Sequence, residues 1–453
     1  MPKMVLIGAG SHHFARNFIM DVLMYPELRD STIALVDIDK EKLELTAAFA
    51  RKLVKQHGFN TRIEATTNRH EVLKDANYVI VAIKVGGPRL GQLDHKVTWK
   101  YGVEWDDTLG PCGVFYGHRH IQAILEICRD MEELCPDAWL LNYSNPQAMI
   151  CWAMNDYTKI KNVGLCPNQR NLAEDLARNA GVPFNEVSYW LAGINHFAFY
   201  LELTWRGQDL YPKFREKYKE AVYSGIDAGW RYENPPGKRV GIDLVEVEMF
   251  KKFGYFTTGS SGHIPKYVPY FMRTNKQKET YKLGGELGSV SGLKFDNSKR
   301  KAEEEELKRQ IASDYKFPLT DEYRWTIFAV NIINSIATGT VRRLNCNVKN
   351  DGLITNISQG CCVEVPCMVD KEGIHPCYIG ELPTQCAALI QPNIHVQELA
   401  VRGSVEKDKN KLFQSILLDP LTASICTIDE MKQMFDEMCE EEKEYLKGFK
   451  LPY

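Results

Sequence analysis

Residues 4–7, Met-Val-Leu-Ile, run without a polar break into Gly8-Ala9-Gly10-Ser11, and no other stretch narrows the possible folds of this chain as much. An apolar strand that ends in a glycine turn and leads into the helix-like segment Phe14 to Tyr25 is the opening unit of a parallel α/β sheet. The turn brings backbone N–H groups and the positive end of a helix to one point, which suits a pyrophosphate. A second strand, Ser31 to Asp39, ends in Val36-Asp37-Ile38-Asp39. Asp37 stands where a carboxylate accepts the hydroxyls of an adenosine ribose and repels a 2′-phosphate, so the pattern points to NAD held by Gly8, Ala9, Gly10, Ser11 and Asp37. The fingerprint departs from its full form at His13, where a third small residue would let helix and strand pack closely.

The strand–helix alternation continues. A helix to about Lys55, a strand near Arg62-Ile63-Glu64, the buried-strand run Tyr78 to Ile83, a helix near Ile121 to Leu134 and a strand Ala138 to Tyr143 predict a doubly wound parallel sheet. Strands at Asn162 to Leu165 and Tyr189 to Gly193 carry the pattern on, each ending in a polar cluster. Beyond Phe197 the pattern becomes mixed, with a strand to Trp205, helices at Val240 to Phe253 and Tyr323 to Ala337, and short strands between Cys346 and Cys367. The expected architecture is therefore α/β, a Rossmann-like domain over 1–195 packed on an α+β substrate, metal and oligomerisation domain over 196–453. At 453 residues two closely packed domains are expected. The stretch Lys276 to Ser298 reads as a mobile loop, and the charged run Lys299 to Lys308 as a solvated helix face.

A net charge of −3, evenly spread, carries no footprint for nucleic acid or an anionic membrane. No apolar run reaches the roughly 18 to 20 residues of a membrane span, and Met1 lies too close to the first strand to leave space for a signal peptide. The expected location is the cytoplasm. Thirteen scattered cysteines without a CxxC pair read as reduced, mostly buried thiols and not as a disulfide framework or structural zinc.

Three loops after predicted strands carry chemistry: Asn142-Tyr143-Ser144-Asn145-Pro146, Gly164-Leu165-Cys166-Pro167 and Gly193-Ile194-Asn195-His196. In a doubly wound sheet such ends share one edge, which would bring a cysteine and a histidine beside the nicotinamide. A thiolate and a neutral imidazole suit a borderline divalent cation and leave positions open for substrate oxygens. On residue type alone, Cys166 is more often a small core residue than a ligand, His196 reads as well as a structural partner, and Asn145 before proline is ordinarily a turn former.

Asn145-Pro146, Gly164-Leu165-Cys166, Ala192-Gly193-Ile194-Asn195-His196, Val363-Glu364-Val365-Pro366 and Gly373-Ile374-His375-Pro376 occur in the order found in glycoside hydrolase family 4, and the resemblance spans nearly the whole chain. Asp130 to Asp137, Tyr267 to Phe271 and Gln397 to Val401 resemble the α-galactosidase branch. The resemblance implies NAD- and Mn²⁺-dependent glycoside cleavage by transient oxidation at sugar C3, loss of the C2 proton and elimination, an exception to paired-carboxylate hydrolysis. It implies Cys166 and His196 as metal ligands and Asn145 as holder of substrate hydroxyls. Asn142 is expected near NAD, and Asn195, His118 and Arg119 near the substrate, a small glycoside or sugar derivative. A homodimer or homotetramer is expected.

Two positions depart from the family. Pro167 stands where α-galactosidase-like members commonly carry a histidine acid, and Gly259-Ser260-Ser261-Gly262-His263 replaces a loop that bears a carboxylate base in related α-glycosidases. Losing an acid–base group costs about 10²- to 10⁴-fold in rate. His263 and Tyr143 are the leading replacement candidates, with His118 and Asp107 further titratable groups. An oxidoreductase or lyase that stops short of hydrolysis is the alternative, and an inactive NAD- or sugar-binding protein a third reading.

Overall fold

The structure is a computed structural model that describes residues 1–219, 244–283, 297–319 and 327–450. Six parallel strands form its first half: β1 (Lys3–Ile7), β2 (Thr32–Val36), β3 (Arg62–Thr66), β4 (Tyr78–Val81), β5 (Trp139–Asn142) and β6 (Lys161–Gly164). They stand in the order β3-β2-β1-β4-β5-β6, that of a dinucleotide-binding sheet. β1, β2, β4 and β5 are buried along nearly their whole length, because the helices His12–Met24, Lys40–His57, Gly110–Leu134 and Gln147–Tyr157 cover the sheet, whereas the edge strand β3 carries Arg62, Glu64 and Thr66 and β6 begins with Lys161 and Asn162.

The sheet does not stop at β6. β7 (Val187–Ile194), β8 (Phe197–Trp205), β9 (Gln208–Asp209), β10 (Arg342–Lys349), β11 (Cys362–Asp370) and β12 (Gly373–Pro376) extend it to twelve strands, in the order β6-β10-β11-β7-β8-β9 with β12 on β11. All pairings in this half are antiparallel. The expectation that Tyr189 to Gly193 continues the parallel pattern is thereby corrected. β10 and β11, more than 170 residues later in sequence, intervene between β6 and β7, and β7 runs opposite to β6. The expected division at residue 195 falls in the tight turn between β7 and β8, which pair with each other.

At one level of this sheet the partners from strand to strand are Val36, Ile7, Val81, Asn142, Gly164, Asn347, Glu364, Gly193 and Ala198. The segments that carry Asn145, Cys166 and Asn195-His196 all leave the sheet at or just beyond this row. The helix Ser260–Tyr267 packs against β8.

None of the thirteen cysteines is in a disulfide. The charged run lies on the helix Asn297–Ala312, whose Lys301, Glu303, Glu305, Glu306 and Lys308 are exposed. Lys276 to Ser298 begins within a short helix, Asn275–Thr280, whose N-terminus is set by a Thr274–Gln277 capping box, and 284–296 lie outside the described residues. Among the described residues, no helix is long and apolar enough to cross a membrane.

Candidate active site

The glycine turn is built around close contact. Gly8 has φ +100°, and a Cβ there would come within 2.2 Å of the Ala82 carbonyl oxygen, so no other residue fits. The Gly8 and Ala9 N–H groups both donate to the Val36 carbonyl, at 2.9 and 3.0 Å. Asp37 accepts from the Gly10 N–H at 2.6 Å through one carboxylate oxygen and from the Asp39 N–H at 2.9 Å through the other. Each oxygen keeps a second lone pair for a ribose hydroxyl. The N–H groups left for an anion are those of His12, His13 and Phe14, the unpaired first turn of the helix His12–Met24. His13 remains exposed overall while its Nε2 lies 3.4 Å from Asn17 Nδ2 one turn on, so the turn accommodates a large residue there.

Asn142 is fully buried and committed to its own loop: its amide donates to the Ser144 carbonyl and to Gln147 Oε1, at 2.9 and 2.8 Å, and accepts from the Ser144 N–H. It shapes the loop into the cis Asn145-Pro146 bond. Asn145 then donates through Nδ2 to Asp107 Oδ2 at 3.0 Å. Tyr143 goes elsewhere. Its ring meets Phe14 edge-on, its hydroxyl accepts the Ala329 N–H at 3.1 Å, and burial pushes the phenol well above its ordinary range.

Cys166 is buried where β6 gives way to the helix Asn168–Ala180. Burial pushes its thiol up to about 12, Glu364 and Asp107 add to that, and the Asn168 N–H and the Asn195 side chain pull the other way. Glu364 belongs to β11 and is 1% exposed. No hydrogen bond of ordinary length reaches either oxygen, and burial raises it to about 8, with Asn195 offsetting only part.

The cis Asn195-His196 peptide is held by one group. The Tyr267 hydroxyl accepts the His196 N–H and donates to the Asn195 carbonyl, both at 2.8 Å. Gly259 lies beneath: a Cβ there would stand 2.3 Å from the His196 carbonyl oxygen. The His196 ring stacks on His263 with centroids 4.0 Å apart, and burial, with His263 and Lys266 nearby, holds it far below its ordinary range and so neutral. His196 Nδ1 is buried without a hydrogen-bond partner.

His263 Nδ1 lies 4.0 Å from Asp106 Oδ2, which also pairs with Lys266 Nζ at 3.0 Å. Ser260, at the start of the same helix, holds φ +53°, a costly conformation for a residue with a side chain. The structure thus gathers Asn145, Cys166, Asn195, His196 and His263, and adds Asp106, Asp107, Lys266 and Glu364.

His118 and Arg119 take no part in this cluster. Arg119 is ion-paired with Asp94 at 2.8 Å and with Glu442, and His118 Nε2 donates to the Tyr445 carbonyl at 2.9 Å. Their expected place near the substrate is corrected for a physical reason: a guanidinium with almost no exposure needs carboxylates to compensate it, and the C-terminal segment supplies one. Glu364 stands in the sequence within the motif Val363-Glu364-Val365-Pro366. A lone glutamate in an apolar run, Val363-Glu364-Val365, was the signal that a buried carboxyl group sits on a core strand.

The profile of "Family 4 glycosyl hydrolase" matches residues 3–182 and that of its C-terminal domain residues 191–422. The chain belongs to this family. It is 34% identical to an alpha-galactosidase of Bacillus subtilis over 99% of this chain and all of that one. To an alpha-galactosidase of Rhizobium meliloti it is 32% identical, over 96% of this chain and 87% of that one. Its fold matches a 6-phospho-alpha-glucosidase from gut microorganisms, solved in complex with NAD and Mn²⁺, with a TM-score of 0.83 at 20% identity over 99% of this chain and 100% of that one. This family 4 member is accordingly a glycoside hydrolase with a Rossmann-like sheet and a C-terminal domain.

Proposed function

We propose that this family 4 enzyme is an NAD- and Mn²⁺-dependent glycosidase acting on an unphosphorylated α-galactoside or a related sugar derivative. The observation that carries the reading is the convergence of Asn145, Cys166 and Asn195-His196 on one row of the sheet that also ends at the glycine turn. The alpha-galactosidase names of the two relatives support the substrate class.

Both groups fit the residues present. The turn that admits no Cβ at Gly8 and the Asp37 carboxylate suit NAD. The unpartnered Nδ1 of a neutral His196 and the Cys166 thiol offer nitrogen and sulfur to a divalent ion. Among the described residues, no three His, Cys, Asp or Glu side chains form a complete ligand set. An ion held by Cys166 and His196 would therefore complete its coordination with substrate oxygens. The chemistry these groups supply when bound is hydride acceptance at sugar C3 by NAD and polarisation of the neighbouring oxygens by the ion, which together acidify the C2 hydrogen.

The remaining work belongs to side chains. Asn145 holds the sugar hydroxyls, and Tyr267 fixes the peptide that presents His196. His263, whose Nδ1 faces Asp106, takes the C2 proton at Nε2 in place of the carboxylate missing from Ser260. The protein works as a cytoplasmic homodimer or homotetramer, a setting in which thirteen free thiols persist.

The test is release of sugar from aryl and alkyl α-galactosides with NAD and Mn²⁺ supplied or withheld, in wild type and Cys166→Ser. Activity should require both additions, and the substitution should weaken Mn²⁺ binding while leaving NAD binding nearly unchanged. Activity that survives exhaustive chelation and the Cys166 change alike would refute the metal site. A stable oxidised sugar, with no release, would favour an oxidoreductase.

A further inference from the structure

Residues 106 and 107 are adjacent carboxylates in opposite surroundings. Asp106 is 4% exposed and saturated with donors: the Thr108 N–H at 2.7 Å, the Leu109 N–H at 3.3 Å, the Thr108 hydroxyl and Lys266 Nζ at 3.0 Å. Asp107 is half-buried, and the hydrogen bond that reaches it is the one from Asn145 at 3.0 Å. No ion pair closes on it among the described residues. Asn145 is the residue that would hold sugar hydroxyls beside C2, so Asp107 stands one hydrogen bond from the atoms next to C1.

We propose that Asp107 is the acid that protonates the departing glycosidic oxygen, the role left empty by Pro167. The proposal rests on the glycosidase reading above. As the C1–O1 bond breaks, its electron pair goes to O1, the Asp107 proton moves to O1, and the pair left by removal of the C2 proton forms the C1=C2 bond. In the return step the Asp107 carboxylate takes one proton from the water whose oxygen bonds to C1, and the proton held by His263 goes back to C2. Atoms and electrons balance without any further reactant.

The electrostatics agree with the geometry. Burial and the neighbouring Asp106 charge raise Asp107 to about 6, against which the Asn145 amide, Lys266 and Lys84 pull only in part. Asp106, although buried, is held below its ordinary range by Lys266, His263 and Thr108. The other titratable groups that face Asp107 are Tyr116, Tyr267 and Cys166, each pushed up in part by its charge. Two carboxyl groups driven apart in this way divide into one that keeps its charge and one that is protonated below about 6.

Asp107→Asn keeps an acceptor for Asn145 and removes the proton, and Asp107→Glu keeps the proton. The enzyme with NAD and Mn²⁺ is assayed on α-galactosides from dinitrophenyl to methyl, with C2 deuterium incorporation followed in D₂O. Expected for Asp107→Asn is a loss of ~10²- to 10⁴-fold on the methyl glycoside, restored in part by formate, with a far smaller loss on dinitrophenyl. C2 exchange should persist, and the fall in wild-type rate as pH rises past about 6 should vanish. Asp107→Glu should retain that pH limb. In the protein without cofactors, the carboxylic-acid infrared absorbance that titrates near 6, to which Asp419 also contributes, should be reduced in Asp107→Asn and retained in Asp107→Glu. An unchanged leaving-group dependence and pH profile, or an equal loss at every leaving group together with C2 exchange, would overturn the proposal and leave Asp107 a support for Asn145. Absence of C2 exchange in wild type would overturn the glycosidase reading itself, and the proposal with it.

Discussion

Replacing Glu364 by Gln should make the metal-free protein more stable, increasingly so as pH rises. Glu364 is 1% exposed and titrates near 8, so the folded chain keeps its proton at neutral pH, while the unfolded chain releases it near the ordinary glutamate value. A folded-state value that is raised contributes stability that is complete below the unfolded value and is lost as pH climbs to the folded one. The window here is from about 4.5 to about 8. At 1.36 kcal/mol per pH unit, the span from the unfolded value to pH 7 amounts to about 3 kcal/mol as an upper figure. With an unfolding entropy near 2.1 cal/mol/K per residue over the whole chain, that is a shift of about 3 °C in Tm. The assay is thermal unfolding of the metal-free wild type and Glu364→Gln across this pH range. The wild-type Tm should fall relative to the variant as pH rises, and the two should converge at the acid end. Parallel curves would refute the buried protonated carboxyl group.

Arg119→Ala leaves Asp94 and Glu442 buried without their cation, and should cost about 3–5 kcal/mol, read as a lowered unfolding midpoint. A variant with the wild-type midpoint would contradict the buried triad. Tyr267→Phe strips the Asn195 carbonyl and the His196 N–H of their shared hydroxyl, at about 1–3 kcal/mol for each group, and should lower both Tm and Mn²⁺ affinity; unchanged values of both would refute its role in presenting His196. Asp37→Ala should weaken NAD about ten- to hundredfold and erase the preference over NADP, and equal affinities for the two in wild type would sink the assignment.

The strand, glycine turn and Asp37 were legible because they lie within forty residues and rest on local rules. The loop bearing Cys166 was legible and correctly placed after a parallel strand, while the loop bearing His196 was legible as a residue type but follows a strand that is antiparallel to its neighbours. Sequence periodicity describes how one strand is buried, not which strand it pairs with. The insertion of β10 and β11 between β6 and β7 therefore left no local mark. Glu364 left a local mark, a lone carboxylate in an apolar run, but its neighbours were hidden for the same reason, since they come from pairing with Asn347 and Gly193. His118 and Arg119 were drawn toward the substrate because they precede the helix expected near Ile121 to Leu134 and so read as a ligand-side loop, whereas the helix begins at Gly110 and contains both. The Arg119 partner that says otherwise, Glu442, is 323 residues away in sequence. The paired roles of Asp106 and Asp107 are likewise set by Lys266, His263 and Asn145, which come from two other segments.

The central claim is that Asn145, Cys166, His196 and His263 form a site that removes the C2 hydrogen of a galactoside. The direct measurement is NMR of galactose released from an aryl α-galactoside in D₂O with NAD and Mn²⁺. The account predicts deuterium at C2 of the released sugar, lost along with activity when either addition is withheld. Galactose released at full rate with its C2 hydrogen intact would contradict it.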